Sequence, residues 1–199
     1  GANFFLSGAD VEKAMQTIGE FDVLVMPLEI PLETIYTAAK IASYRGAKVL
    51  LNPAPAQVLT KELLELVDVL VPNESEIASM AGMPVKSMSD VSKAIPKLLR
   101  LGVKNLIVTM GDHGAVLFDE KGQETLIPAC QVQAVDTTAA GDCFVGALAV
   151  ALCEGRSLLP AAEFASAAAA LSVTREGAQP SLPHREEVVQ FLLERRNTQ

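Results

Sequence analysis

The segment 136–142 has the sequence Asp-Thr-Thr-Ala-Ala-Gly-Asp, which places two carboxylates around small residues at the start of a predicted Ala-rich helix. Small residues leave the first backbone N–H groups of a helix accessible, and such groups bind anions. A carboxylate beside a bound phosphate can accept the proton of an alcohol, so the segment fits phosphoryl transfer to an alcohol. An ordinary helix capped by Asp136 or Thr137 is the alternative, but a cap does not explain both Asp residues.

Four short Val/Leu/Ile runs alternate with helical patterns, which predicts a parallel α/β sheet. These strands are predicted at residues 22–26, 47–51, 67–71 and 105–109, with helices at 10–20, 31–44, 61–66, 74–81 and 89–101, the last interrupted by Pro96. Farther along, strands are predicted at 115–118, 124–127 and 132–135, and helices at 139–154, 159–173 and 184–195. We expect all of them to form a single α/β domain over residues 1–199.

Polar residues follow each of the first four predicted strands. Ligands bind beyond the carboxyl ends of parallel strands, so we expect these residues to share one rim of the sheet. They are Glu29 after the first strand, Asn52 after the second, Asn73 and Glu76 after the third, and the turn 109–114 after the fourth.

Three motifs, two at this rim and one after the last Ala-rich helix, have both a structural and a functional interpretation. Asn73 and Glu76 have the spacing of a helix capping box, but they could also serve phosphate oxygens and the water shell of Mg²⁺. The two glycines of the turn 109–114 suit either a tight turn or a close approach of the backbone to a nucleotide. The loop 175–181 is either a helix stop or a ring of carbonyls around a monovalent cation, with Asp136 supplying a carboxylate.

Composition excludes several classes of partner. The chain has a net charge of −8 and no long Lys/Arg cluster, which argues against binding to nucleic acid or to an anionic membrane. No uncharged apolar stretch is long enough to span a bilayer. The three cysteines are odd in number and lack metal-site spacing, so we expect a reducing, cytoplasmic location.

Six motifs, in order, make the chain resemble the ribokinase-like (PfkB) family of carbohydrate kinases. The resemblance covers essentially all 199 residues and implies a three-layer α-β-α fold around a mostly parallel sheet. The motifs are Asn-Pro-Ala-Pro-Ala at 52–56, Pro-Asn-Glu-Ser-Glu at 72–76, Val-Thr-Met-Gly at 108–111, Val-Gln-Ala-Val-Asp at 132–136, the segment 136–142, and Gly-Ala-Gln-Pro-Ser at 177–181.

The resemblance implies a role for each motif residue. Asp142 would be the general base that contacts the sugar hydroxyl, the N–H groups of Ala140, Gly141 and Asp142 would stabilise the transferring phosphoryl group, and Glu29 would contact the sugar. Nucleotide binding is implied for Asn73, Thr109, Gly111, Asp112, Gly114, Gly141 and Ser166. Potassium binding is implied for Asp136, Thr138, Ser172, Arg175, Gly177 and Ser181, and magnesium binding through water for Glu76.

The chain also departs from the family pattern. Cys143 stands where Thr is usual, Val145 where Asn is common, and Ser166 where a nucleotide-contacting His is often found. Family members have an N-terminal third that carries further sugar contacts and a small lid sheet, and nothing in this chain matches it. We therefore expect these 199 residues to be the C-terminal two-thirds of such a kinase, to transfer phosphate poorly alone, and to form a homodimer when the lid is present.

The implied activity is ATP-dependent phosphorylation of a small sugar, most consistent with D-ribose at O5 to give ribose 5-phosphate and ADP. A family kinase for fructose, a deoxy-sugar acid or a nucleoside is the first alternative, and a nucleotide-binding module without turnover is the second. A dinucleotide-dependent oxidoreductase is disfavoured, because no Gly-x-Gly-x-x-Gly follows the first predicted strand.

Overall fold

The structure is a computed structural model that describes residues 1–196, with the side chains of residues 1–195. Helices and strands alternate through most of this range. The helices are α1 (Gly8–Thr17), α2 (Leu32–Tyr44), α3 (Lys61–Leu64), α4 (Glu74–Ala81), α5 (Met88–Arg100), α6 (Ala140–Cys153), α7 (Leu158–Ser172) and α8 (Arg185–Arg196). The strands are β1 (Val23–Pro27), β2 (Lys48–Asn52), β3 (Val69–Leu70), β4 (Asn105–Thr109), β5 (Ala115–Phe118) and β6 (Glu124–Ile127).

The six strands form one sheet in the order β1-β2-β3-β4-β5-β6. Strands β1 to β4 pair in parallel, with Val25 opposite Leu50 and Leu70 opposite Leu106. The connections around β5 are too short for a parallel crossover, so β5 and β6 return as hairpin strands. The mostly parallel α/β sheet predicted from the sequence is therefore confirmed.

The chain divides into two compact units, which we describe separately. Unit 1 comprises Gly1–Thr109 and Val116–Thr125, and unit 2 comprises Met110–Ala115 and the residues from Leu126 onward. In unit 1, fully buried Leu50, Leu51 and Ile107 lie in the sheet. In unit 2, α6 packs on α7 through small side chains such as Ala151 and Ala165, both fully buried. Alanines permit a close helix–helix approach because little side-chain volume separates the two backbones.

Two of the predicted elements were wrong. Residues 132–135 are not a strand, because their backbone is drawn to the end of α7, where the N–H groups of Val135 and Asp136 donate to the carbonyl of Val173 at 2.7 and 3.1 Å. Helix α5 is not interrupted at Pro96 but runs through it. Pro96 lies on the exposed face of α5, where water can replace the hydrogen bond that proline cannot donate.

None of the helices within residues 1–196 is both long and apolar enough to cross a membrane.

Candidate active site

The start of α6 presents backbone N–H groups that are not used within the protein. Helix α6 has no side-chain cap, and the N–H of Ala140 donates to the carbonyl of Thr137 at 3.2 Å. The N–H groups of Gly141 and Asp142 have no acceptor among the described residues. No atom lies within 4 Å of the position that a Cβ on Gly141 would occupy. The helix start therefore offers two free donors and open space, which suits an anion.

Ala139, the residue just before α6, has a left-handed backbone conformation. It has a φ of 59°, and it is the one non-glycine residue with positive φ in the described chain. Left-handed backbone costs about 1–2 kcal/mol for a residue with a Cβ, and such strain concentrates at functional sites. Its carbonyl accepts the first helical hydrogen bond, from the N–H of Cys143 at 2.8 Å. The strained residue thus begins the helix without a polar side chain that would block the free donors.

Asp142 is exposed in the first turn of α6 and borders a cavity of about 450 Å³ in unit 2. Helix α6 contributes Cys143, Gly146 and Val150 to the wall, and α7 contributes Phe164. The wall is mostly apolar, so Asp142 is one of few groups in it that can exchange a proton. A carboxylate next to two free N–H donors is the arrangement that a general base for phosphoryl transfer requires.

Asp136 organises the residues predicted to bind potassium. One carboxylate oxygen accepts from the N–H of Thr138 at 2.9 Å and from its hydroxyl at 2.7 Å, and the other accepts from the N–H of Gly177 at 2.9 Å. The hydrogen bond from the Thr138 hydroxyl is the main cause that lowers the pKa of Asp136. Asp136 therefore stays ionised and joins the segment before α6 to the loop after α7.

The loop after α7 is held by its own contacts. The Ser172 carbonyl accepts from the N–H of Arg175 at 3.1 Å, and Arg175 forms an ion pair with Glu187 on α8. The Ser181 hydroxyl, which is buried, donates to the carbonyl of Ala178 at 2.7 Å. The structure thus places Asp136, Thr138 and Gly177 in direct contact, with Ser172 at the end of α7 and Arg175 and Ser181 in the segment that follows it. No group of three or more His, Cys, Asp or Glu residues within 1–196 has the arrangement of a metal site.

The turn at Gly111–His113 follows β4, as predicted. The N–H of Met110 donates to the Gly114 carbonyl at 2.8 Å, which closes the turn. Gly114 is buried with a φ of 90°, and a Cβ placed on it would lie 2.2 Å from the carbonyl oxygen of Ile127. Gly111 and Asp112 are exposed, so their backbone and side chain face solvent as a nucleotide contact requires.

Unit 1 confirms that the polar residues after its parallel strands share one rim. Asn73 and Thr109 form an isolated parallel bridge, and the N–H of Thr109 donates to the carbonyl of Pro72 at 3.0 Å. The N–H of Leu28, beside the exposed Glu29, donates to the carbonyl of Ala54 at 2.8 Å in the Asn-Pro-Ala-Pro-Ala segment. The parallel register predicted from the sequence explains this convergence.

Glu76 and Asn73 form the capping box that was one of the two interpretations of their spacing. One Glu76 oxygen accepts from the Asn73 N–H and the other from the Asn73 side-chain amide, both at 2.9 Å. Asn73 Oδ1 accepts from the N–H of Glu76 at 3.0 Å. Glu76 is only 7% exposed, and burial is the main cause that raises its pKa. The magnesium role remains a prediction, because a capping carboxylate can also hold a metal-bound water.

A glutamine at residue 76 separates capping from magnesium binding. Gln keeps the capping box but removes the charge, so we expect Glu76→Gln to retain the fold and to raise severalfold the Mg²⁺ concentration needed for half-maximal activity. Asp10→Asn is the matched control, since Asp10 occupies the same box position on α1 with Ser7. Titration of activity with Mg²⁺ is the measurement. If Glu76→Gln needed the same Mg²⁺ concentration as the unmodified protein, Glu76 would have no role beyond capping the helix.

Sequence reasoning missed two residues near Ser166, which is half-buried on α7. The Cys130 thiol lies against the side chains of both Ser166 and Arg195. Burial is the main cause that raises the pKa of Cys130, and the Arg195 charge opposes it. Neither residue belongs to a motif, and no spacing along the chain indicates that they meet.

The chain is similar in structure and in sequence to known sugar kinases. The fold is the ribokinase-like α/β fold: the chain superimposes on a structure of Arabidopsis thaliana ribokinase complexed with ribose and ATP with a TM-score of 0.84 and 34% identity, over 96% of this chain and 60% of the other. Among curated proteins, it is 44% identical to a ribokinase of Haemophilus influenzae and 39% identical to a deoxyribokinase of Salmonella typhi, each over 96% of this chain. It spans 62% and 63% of their lengths.

The model of the pfkB family carbohydrate kinases matches residues 3–185. The chain belongs to the pfkB family of carbohydrate kinases.

Proposed function

We propose that the chain supplies the phosphoryl-transfer site of an ATP-dependent sugar kinase, with O5 of D-ribose as the acceptor and ribose 5-phosphate and ADP as products. The observation that carries this proposal is Asp142, exposed beside the two unused N–H groups at the start of α6. Membership of the carbohydrate kinase family supports the reaction class, and the 44% identity to a ribokinase supports the sugar.

Asp142, the N–H groups at the start of α6 and Glu76 have separate roles in the proposed phosphoryl transfer. Asp142 accepts the proton of the attacking sugar hydroxyl, so that the oxygen can bond to the γ-phosphorus as the bond to the β-phosphate oxygen of ADP breaks. The N–H groups of Gly141 and Asp142 donate to the transferring group, where negative charge must be stabilised. Bound Mg²⁺ would neutralise charge on the ATP phosphates, and Glu76 is the carboxylate that we expect to hold it through water.

The nucleotide would lie along the residues that the sequence assigned to it. The exposed Gly111 and Asp112 leave room for a ligand, and Asn73 and Thr109 lie side by side at the end of their strands. Ser166 faces partly toward solvent on α7, where a nucleotide base could reach its hydroxyl.

The sugar needs more polar partners than the cavity beside Asp142 provides. Its walls are mostly apolar, whereas each ribose hydroxyl must keep a hydrogen bond when it leaves water. We propose that Glu29 contacts the sugar, as the resemblance to the family implies, and we expect further contacts from the part of the ribokinase relative's length that this chain does not span, since the chain covers 62% of it. We also propose that the protein forms a homodimer when the lid is present, as the resemblance to the family implies.

Deoxyribose is the second candidate sugar, because the deoxyribokinase relative is 39% identical to this chain. A sugar panel with ribose, 2-deoxyribose and fructose, followed by ADP release, tests the proposal. We expect the highest kcat/KM with ribose. A higher kcat/KM with 2-deoxyribose would identify 2-deoxyribose as the substrate. Nucleotide binding without ADP release on any sugar would instead support a nucleotide-binding module without turnover.

We also propose that a potassium ion binds at Asp136 and the loop after α7. The Asp136 carboxylate already joins Thr138 to Gly177, and a cation there would lie close to the start of α6 without touching substrate. Carbonyl and hydroxyl oxygens of Thr138, Ser172, Arg175, Gly177 and Ser181 would complete its coordination.

The potassium site predicts a cation dependence of the rate. Activity of the complete protein in KCl is expected to exceed that in NaCl at the same ionic strength by roughly 5–150-fold, the range typical of coupling between two binding sites. Asp136→Asn should remove the difference, while Asp119→Asn, on the exposed β5–β6 turn, should keep it. Equal rates of the unmodified protein in both salts would contradict the site.

A further inference from the structure

Three side chains from separate parts of unit 2 meet beside the predicted nucleotide residues. We call Cys130, Ser166 and Arg195 the base cluster. Cys130 follows β6, Ser166 lies on α7 and Arg195 on α8, and all three are half-buried. Both Ser166 and Arg195 approach the Cys130 sulfur. Arg195 also donates to the carbonyl of Ala129 at 3.5 Å.

The base cluster lies next to the turn at Gly111–His113. The Cα of Gly114 is so close to the following segment that a Cβ would lie 2.2 Å from the Ile127 carbonyl oxygen and 2.7 Å from the Ala129 nitrogen. Cys130 is the next residue in that segment. The segment 127–130 therefore contacts the turn through residues 127–129 and the other two members of the cluster through Cys130. A ligand bound along the turn would consequently end near Ser166 and Arg195.

Arg195 differs from three other arginines of unit 2 in its partners. Arg175 pairs with Glu187, and Arg156 and Arg185 both pair with Glu154. Arg195 forms no ion pair with a carboxylate among the described residues, and it stacks at 5.8 Å over Phe191. A guanidinium has five N–H donors in a fixed plane, so most of the donors of Arg195 are unused by the described part of the chain.

We propose that Arg195 is a nucleotide-binding residue that, with Ser166, recognises the purine base. The proposal rests on the nucleotide position given under Proposed function. Purine ring nitrogens are hydrogen-bond acceptors, and the unused guanidinium and the Ser166 hydroxyl are donors. The Cys130 sulfur fills the space between them and contacts the base as a soft, polarisable surface. This places base recognition on the last helix, outside every motif of the sequence.

Binding of ADP to variants tests the role of Arg195. Hydrogen bonds to charged groups are the stronger class, so Arg195→Gln should raise the Kd for ADP, measured by calorimetry, by about 10-fold or more. Arg100→Gln is the matched control, because Arg100 is exposed at the end of α5. Inosine and adenosine diphosphates should both lose affinity, while inorganic triphosphate should bind Arg195→Gln and the unmodified protein equally. An ADP affinity equal to that of Arg100→Gln would overturn the proposal.

Thiol protection tests the same cluster without a substitution. The half-buried Cys130 and the exposed Cys153 are alkylated by N-ethylmaleimide and followed separately by peptide mass spectrometry. Saturating ADP should slow alkylation of Cys130 at least 10-fold and leave Cys153 unchanged. Unchanged alkylation of Cys130 with ADP bound would overturn the proposal. Absence of any ADP binding to the unmodified protein would instead overturn the proposed function.

Discussion

Asp142→Asn is expected to lower kcat by about 10²–10⁴-fold, which is the contribution typical of a general base. Asn has nearly the same shape as Asp but cannot accept the proton of the sugar hydroxyl. The free N–H groups at the start of α6 remain in place, because they belong to the backbone. Affinity for ATP should therefore change little, and steady-state kinetics combined with ATP calorimetry measure both quantities.

Glu163→Gln is the control for this substitution, since Glu163 is an exposed carboxylate on α7 away from the α6 start. It should keep kcat within about twofold, because exposed substitutions away from special features have small effects. Full turnover of Asp142→Asn would show that another group is the base. Loss of both turnover and ATP binding would show that Asp142 supports the nucleotide site rather than the proton transfer.

Gly114→Ala is expected to be the most destabilising single methyl addition in the predicted nucleotide turn. Gly114 has a φ of 90°, and the added Cβ would lie 2.2 Å from the Ile127 carbonyl oxygen, which is backbone and cannot rotate away. Strain of about 1–3 kcal/mol adds to this clash, so the free energy of unfolding should fall by more than about 3 kcal/mol. ADP affinity should fall as well, because the base cluster follows the same segment.

Gly111→Ala isolates the contribution of backbone strain. Gly111 has a φ of 52°, but nothing lies within 4 Å of its Cβ position. It should lose only about 1 kcal/mol, the cost of left-handed backbone for a residue with a Cβ. Urea unfolding of both variants provides the comparison. Equal losses would mean that the turn is not packed against residues 127–129.

The sequence predicted most of the elements because their signals are local. Strand β4, the hairpin β5–β6 and helix α4 have the predicted bounds, since apolar runs and an Asn cap define them within a few residues. The rim formed by Asn73 and Thr109 was also predictable, because parallel pairing places the ends of neighbouring strands together. The family motifs supplied the roles of Asp142 and Asp136, which physical patterning alone left open.

Other features depend on contacts between distant residues, and the sequence did not reveal them. Residues 132–135 alternate like a strand, yet the carbonyl of Val173 takes the N–H groups of Val135 and Asp136. The left-handed Ala139 could not be expected, because alanine normally avoids that conformation. Cys130 and Arg195 are 65 positions apart and meet only through the packing of α7 and α8. The single domain over residues 1–199 stays a prediction, because the chain divides into two compact units.

The proposed reaction transfers the γ-phosphoryl group of ATP to O5 of ribose. Phosphorus and carbon NMR of a reaction with ¹³C-labelled ribose, ATP, Mg²⁺ and K⁺ tests it most directly, because the spectra locate the new phosphate ester. For the complete protein we predict ribose 5-phosphate and ADP in equal amounts, with no product from Asp142→Asn over the same period. ADP formed without a sugar ester, or an ester at O1, would contradict the account.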